Sequence, residues 1–243
     1  MTTHGAFSVA NRSFSPRFGR LRLLPRTAPR QTFATEAAQS PSPEKPPFDV
    51  RDNTFYEFWG AKRVYFYQVD LRGRLYLDLP SLVRRNDATC LKAESFLDFF
   101  FQRIRKCPSP SELTDLKPVS WREPIKLFAN EYPYISPCGR ELNFVKADDT
   151  PIVYRDLIQS TTSPAPSSGP TDYLVYGGTL REAFDPSRLV INETTERIYY
   201  SRPSDSVPLL LHVHLAERLS KNFSPDGQHW EYNGKQYPLT VVE

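Results

Sequence analysis

Val64-Tyr65-Phe66-Tyr67-Gln68-Val69 is dense in aromatic and β-branched residues, Leu71-Arg72-Gly73 supplies a short glycine turn, and Arg74-Leu75-Tyr76-Leu77-Asp78 returns with alternating character. Two such runs across a glycine turn spell a β-hairpin. Downstream the apolar period changes from two to 3.6. Phe96, Phe100 and Ile104 fall on one face with Leu97 and Phe101 beside them, which predicts a helix over 96–106 ended by Pro108. Ser95 with Asp98 three residues on has the form of a capping box. Phe99 widens the apolar arc, so the helix is expected to be buried on more than one side.

Residues 108–130 carry Pro108, Pro110, Pro118 and Pro124 with little periodicity and read as a loop insertion. Three short strands are expected at 132–136, 141–146 and 151–154, separated by turns at Pro137-Cys138-Gly139-Arg140 and Ala147-Asp148-Asp149-Thr150. Residues 160–170 (STTSPAPSSGP) form a low-complexity, exposed break. Beyond it the order repeats. Strands are expected at 173–176, 189–192 and 197–201, then a helix over 206–222 with Pro208 in its first turn and Leu211, Leu215 and Leu219 as its stripe. Asn233-Gly234, inside 230–237, is the strongest hairpin signal in the chain. The expected class is therefore α+β, as two related half-domains, each a small antiparallel sheet with one packed helix, over 55–159 and 171–243.

The first thirty-five residues contain six arginines (Arg12, Arg17, Arg20, Arg22, Arg26 and Arg30) and no lysine, aspartate or glutamate. This is the composition of a mitochondrial transit peptide, and a chloroplast address shares it. Residues 36–54, including QSPSPEKPP, read as a disordered Pro-rich linker. The whole chain has 31 basic and 28 acidic residues; removing the six leader arginines leaves 25 basic against 28 acidic, a net of −3. A mildly acidic body argues against a duplex-binding face. No apolar run approaches the ~18 residues that span a bilayer. Cys90, Cys107 and Cys138 lie far apart with no C-x-x-C pair, which is neither a disulfide framework nor a zinc pattern and suits a reducing compartment. The nucleotide, dinucleotide and zinc-protease signatures are absent from the sequence, so no cofactor and no metal is expected.

Reactive groups concentrate at 136–143. Cys138 beside Arg140 has the setting of a thiol with lowered pKa, Glu141 of an acid or base, and Asn143 of an oxyanion donor. Asp148 and Asp149 follow one turn later and are expected to face the same edge. The plainer alternative is a tight Pro-Cys-Gly turn with Arg140 and Glu141 paired across it. A guanidinium at a turn also suits a carboxylate or phosphate, which makes Ser136, Cys138, Arg140, Glu141, Asn143, Asp148 and Asp149 the candidate ligand-binding set. Cys138 and Glu141 are the candidate catalytic pair. His212 and His214 share a face only on a strand; on the expected helix they point about 200° apart. Tyr65, Phe66, Tyr67 and Tyr76 would stack bases on an RNA-binding sheet, but without a basic patch they read as core.

Tyr65-Phe66-Tyr67, Gly73-Arg74-Leu75-Tyr76-Leu77-Asp78, Ser136-Pro137-Cys138-Gly139-Arg140-Glu141-Leu142-Asn143-Phe144 and Asp149-Thr150-Pro151-Ile152-Val153 resemble uncharacterised protein family 0598, over roughly residues 63–240. That resemblance implies a mitochondrial protein of unknown activity. The spacing of a G-x-L-x-L strand and an F/L-rich helix resembles, at the level of fold, the bacterial family of unknown function numbered 1285, which implies an α+β fold and a binding or signalling role. Together these readings lead to a soluble mitochondrial matrix protein that acts as a non-catalytic binding or regulatory module for a small anionic ligand or a protein partner. The alternatives are an enzyme with Cys138 as nucleophile and an assembly factor of a mitochondrial complex.

Overall fold

The computed structural model describes residues 51–79, 89–159, 172–202 and 208–242. The expected leader, most of the linker, the break at 160–170 and Ser206 lie outside the described residues.

β1 (Val64–Val69) pairs antiparallel with β2 (Leu75–Leu77), Tyr67 opposite Leu77. Asp70 fastens the turn by accepting the N–H groups of Arg72 and Arg74, each at 2.9 Å. Ahead of β1 stands α1 (Asn53–Ala61), which begins inside the stretch read as linker. Asp52 caps it by accepting from the Phe55 N–H at 3.0 Å. Phe55 and Trp59, four residues apart, bury on one face.

α2 (Glu94–Phe101) is shorter than the expected 96–106 helix, and the capping box does not form: the N-cap is Ala93, with no side-chain bond. Beyond the helix, Arg105–Lys106 is β3, antiparallel to β4 (Tyr134–Cys138). The segment expected to be a loop, 108–130, holds two 3-10 turns and α3 (Arg122–Phe128). Pro124 lies in the first turn of α3, where no intrahelical N–H bond is lost. Trp121, Ile125 and Phe128 enter the core at the i, i+4, i+7 spacing. β5 (Glu141–Ala147) completes a five-stranded sheet ordered β2-β1-β5-β4-β3, with β1 and β5 parallel.

The second sheet is built from β6 (Val153–Tyr154), β10 (Leu189–Asn192), β11 (Arg197–Tyr200), β12 (Leu209–Leu211) and β15 (Thr240–Val242), ordered β15-β10-β11-β12-β6. A three-stranded sheet of β7 (Asp156–Ile158), β8 (Tyr173–Tyr176) and β9 (Leu180–Ala183) accompanies it, as does the hairpin of β13 (His229–Tyr232) and β14 (Lys235–Pro238). The helix expected over 206–222 is replaced by β12 followed by α4 (Val213–Ser220). β12 lies between two strands and is buried along its whole length. Its apolar run therefore mimics a helix stripe continuous with Leu215 and Leu219. The chain is α+β; antiparallel pairing predominates, and parallel pairs join β1 to β5, β10 to β15 and β12 to β6. β6, from the first half of the chain, belongs to the second sheet. No helix among the described residues is long and apolar enough to cross a membrane.

One face of the first sheet, with Phe66, Ile135, Leu142 and Phe144, packs on Phe55 and Trp59 of α1 and on Ile125 and Phe128 of α3. The other face, with Tyr67, Val69 and Val145, joins α2 and the second sheet in a larger core. Asn233 and Gly234 take φ of 49° and 72° in the β13–β14 turn, the left-handed pair that this turn requires. No neighbour lies within 4 Å of a Cβ built on Gly234, so Gly234→Val tests backbone strain alone. It is expected to cost ~1–2 kcal/mol, read as a lowered urea midpoint.

Candidate functional site

The Ser136–Asn143 segment is a hairpin, β4 and β5 joined at Gly139 and Arg140, with Gly139 at φ 64°. Its register puts Ser136 opposite Asn143, Cys138 opposite Glu141, and Asn143 beside Tyr65 of β1. Because side chains alternate across a strand, these residues share the face covered by α2. The structure thus brings together Ser136, Cys138, Glu141 and Asn143, and adds Tyr65. Ser136 is fully buried, and its hydroxyl donates to the Phe100 carbonyl of α2 at 2.7 Å. The Asn143 amide donates to the Ser136 carbonyl at 2.8 Å. Both polar side chains thereby tie the hairpin to itself and to the helix.

Three expectations about this segment are overturned. First, burial pushes the Cys138 thiol up rather than down. Ser136, Arg103 and Asn143 pull it back only in part, and the cation that acts on it is Arg103, not Arg140. Second, neither Arg140 nor Glu141 forms an ion pair with another described residue; Arg140 is exposed at the tip. Third, Asp148 and Asp149 do not join the set. Residues 141 and 148 bracket β5, which separates them by roughly 23 Å at strand rise. Asp148 accepts from Gln68. Asp149 takes Arg197 at 2.5 Å and the Tyr199 hydroxyl at 2.9 Å, linking the first sheet to the second.

A direct consequence concerns thiol chemistry. Cys107, which donates to the Tyr132 carbonyl at 3.2 Å, is pushed up to about 12 by burial, and Cys138 is raised by the same cause. Since the thiolate is the reacting form, iodoacetamide near neutral pH should modify both more slowly in the folded chain than in urea. Arg140→Gln should leave the Cys138 rate unchanged. A Cys138 rate in the folded chain above that in urea would contradict this.

His212 is the N-cap of α4, its Nδ1 accepting from the His214 N–H at 3.3 Å. His214 is exposed and lies 3.6 Å from Glu217. Among the described residues no group of three His, Cys, Asp or Glu is placed to hold a metal ion.

A second site was not legible in the motifs. A groove of about 480 Å³ is lined by Asn53, Tyr56 and Glu57 of α1, by Val64, Tyr65, Phe66 and Tyr67 of β1, and by Leu77 and Leu79. Of the aromatic set, Phe66, Tyr67 and Tyr76 are largely buried and Tyr65 is half-buried at this groove. Tyr56, on its wall, interacts with Arg51 and Asp78 of a polar network. Arg51 donates to Glu131 at 2.6 Å and to the Tyr132 hydroxyl, which donates to Asp78. Lys146 closes on Asp78 at 2.6 Å. The Arg51 guanidinium also lies 5.0 Å from the Tyr132 ring centre and 5.7 Å from that of Phe66. Burial alone would raise the Asp78 carboxyl, but Lys146 and Tyr132 hold it below its ordinary value. The Tyr56 phenol is raised, by burial first and then by Asp78. Arg51 was missed because it was counted as linker. The signal that finds it is Asp52 as an N-cap before the Phe55 and Trp59 pair.

Residues 59–242 match the family described as "Domain of unknown function (DUF4505)". The chain belongs to that family. DUF4505 therefore spans β1 to β15, including both the β4–β5 hairpin and most of the groove. This DUF4505 chain is also similar to the crystal structure of a DUF1285 family protein from Silicibacter pomeroyi DSS-3, at 10% identity over 74% of this chain and 83% of that one, with a TM-score of 0.41.

Proposed function

We propose that this protein is a non-catalytic binding or regulatory module of the mitochondrial matrix, with the groove between α1, β1 and β2 as its binding surface. The observation that carries the reading is the groove itself, an apolar and aromatic channel with a few polar groups, Asn53, Tyr56 and Glu57, on its α1 wall, the composition of a binding site. The enzyme alternative loses its footing with the Cys138 thiol raised and Ser136 and Asn143 engaged in structural bonds. Between the two occupants considered, a protein partner is favoured over a small anionic ligand. Arg51 and Lys146 are neutralised by Glu131 and Asp78, and Glu57 adds negative charge to the wall. The matrix address rests on the acid-free, arginine-rich leader and on the resemblance to family 0598.

The test is affinity purification of the tagged full chain from mitochondria. A partner retained by wild type should be lost with Leu79→Glu, a change at the groove wall, and kept with Cys138→Ser and Arg140→Gln. Loss with Arg140→Gln alone would return the site to the hairpin tip and to an anionic ligand. Changing Arg12, Arg17, Arg20 and Arg22 to Gln should strand a fluorescent fusion in the cytosol.

A further inference from the structure

α4 turns one face to the core and another to a separate groove. Leu215 and Leu219 are buried in the larger core. Val213, Ala216, Glu217 and Ser220 recur at i, i+3, i+4 and i+7, a single stripe, and all four line a groove of about 420 Å³. Ile198 of β11 and Leu210 and Leu211 of β12 are its buried floor. Leu71, in the β1–β2 turn, and Glu196, in the β10–β11 turn, complete the rim. Close packing holds the first of these turns against the second sheet: a Cβ on Gly73 would stand 3.0 Å from that of Val153 in β6. The mouth is open. Val213 is 54% exposed and Leu71 39%, and Glu196, Glu217 and Ser220 are exposed too. Apolar side chains from two distant segments thus meet solvent at one cavity, which scattered surface hydrophobics do not do.

We propose that this α4 groove is a further docking surface, separate from the groove beside α1, and that its occupant is a basic amphipathic helix of a partner protein. A helix fits where a strand does not. β11 pairs with β10 and β12, and β12 with β11 and β6, so the floor offers no free edge to an extended chain. The stripe from Val213 to Ser220 runs about 10 Å, two turns of a helix laid alongside α4. Its Val, Ala and Ser side chains are small and let an incoming helix approach closely. The larger apolar side chains of that helix then fill the volume over Ile198, Leu210 and Leu211, the mode by which grooves take amphipathic helices. Charge selects the flank. The lining cation, Arg197, is committed to Asp149 at 2.5 Å, and Arg72, next to Leu71, is not on the lining. Glu196 has no ion pair with a described residue, and Glu217 has only His214, at 3.6 Å. Lys or Arg beside the apolar stripe of the partner meets these carboxylates, and an acidic helix is repelled.

A displayed library of random sixteen-residue peptides selected on the full chain tests this. The expected result is a set of sequences with apolar residues at helical spacing, flanked by Lys or Arg. Their affinity, followed by fluorescence anisotropy, should fall roughly tenfold or more with Glu217→Lys and with Leu71→Lys, each checked for an unchanged melting temperature. Exchanging the flanking Lys or Arg of the peptide for Glu should reverse the order, so that the Glu217→Lys chain binds it more tightly than wild type does. A central proline in the peptide should abolish binding, and Leu79→Glu in the protein should leave it unchanged. Peptides that bind both α4 groove variants as tightly as wild type, or that tolerate the central proline, overturn the inference, as does selection of no peptide. Peptides lost with Leu79→Glu overturn it as well and place the helix in the groove beside α1, which keeps its own test.

Discussion

Phe100→Ala is expected to lower the free energy of unfolding by about 3–5 kcal/mol, the range for truncating a fully buried phenylalanine. Phe100 has no exposed surface. Its ring packs 5.0 Å from Tyr67 of the first sheet and 5.8 Å from Phe96. Its carbonyl receives the Ser136 hydroxyl, so the residue joins α2 to the β4–β5 hairpin through both side chain and backbone. Collapse of the site is resisted by the surrounding sheet, which keeps the cavity term large. Urea titration gives the value; a loss below about 1 kcal/mol would mean that α2 does not close this core.

Gly178→Ala is expected to be nearly as damaging, at ~3 kcal/mol, from overpacking together with lost hydrogen bonds. A Cβ on Gly178 would stand 2.5 Å from the Glu94 carbonyl oxygen and 2.9 Å from Glu94 Cα. Both are backbone atoms at the start of α2, so relief requires moving the helix or the β8–β9 turn. Either movement draws Asp98 away from its donors: the N–H of Gly178 at 2.8 Å, the N–H of Thr179 at 2.7 Å and the Thr179 hydroxyl at 2.7 Å. Burial would raise the Asp98 carboxyl, but these donors outweigh it and hold it below the ordinary 3.8. A depressed carboxyl stabilises the fold above its unfolded value. That contribution should fade as the pH falls below 3.8 through the lower folded value. Asp98→Asn should flatten that acid limb, and thermal melts across pH 2–5 would show it.

Asp98 also marks where sequence reading reached its limit. Paired with Ser95 it has the form of a capping box, yet its carboxylate is used 80 residues away in sequence, at a turn that no local pattern links to it. Local chemistry was legible. The β1–β2 hairpin, the Asn233-Gly234 turn, β8, β10 and the burial of Phe100 follow from alternation, turn residues and helical spacing. Fully buried strands were harder, because the Leu209–Leu211 run carries no period of its own and borrows that of the helix after it. α3 was hidden by four prolines, although Trp121, Ile125 and Phe128 held its spacing. At the candidate site, pleat and register bring Ser136, Cys138, Glu141 and Asn143 to one face, which a turn with two strands predicts. Asp148 and Asp149 were assigned there from nearness in sequence, but a seven-residue strand carries them to its other end. The groove draws on Asn53, Tyr65 and Leu79, and the polar network that Tyr56 touches on Arg51, Glu131 and Lys146. Residues so far apart in sequence are joined only by the fold.

The most direct test sets the two sites against each other in cells deprived of the endogenous protein and supplied with variants of matched melting temperature. The account predicts that Cys138→Ser restores function as wild type does, and that Leu79→Glu, folded and imported, does not. Full rescue by Leu79→Glu with none by Cys138→Ser would contradict it and place the chemistry at the β4–β5 hairpin.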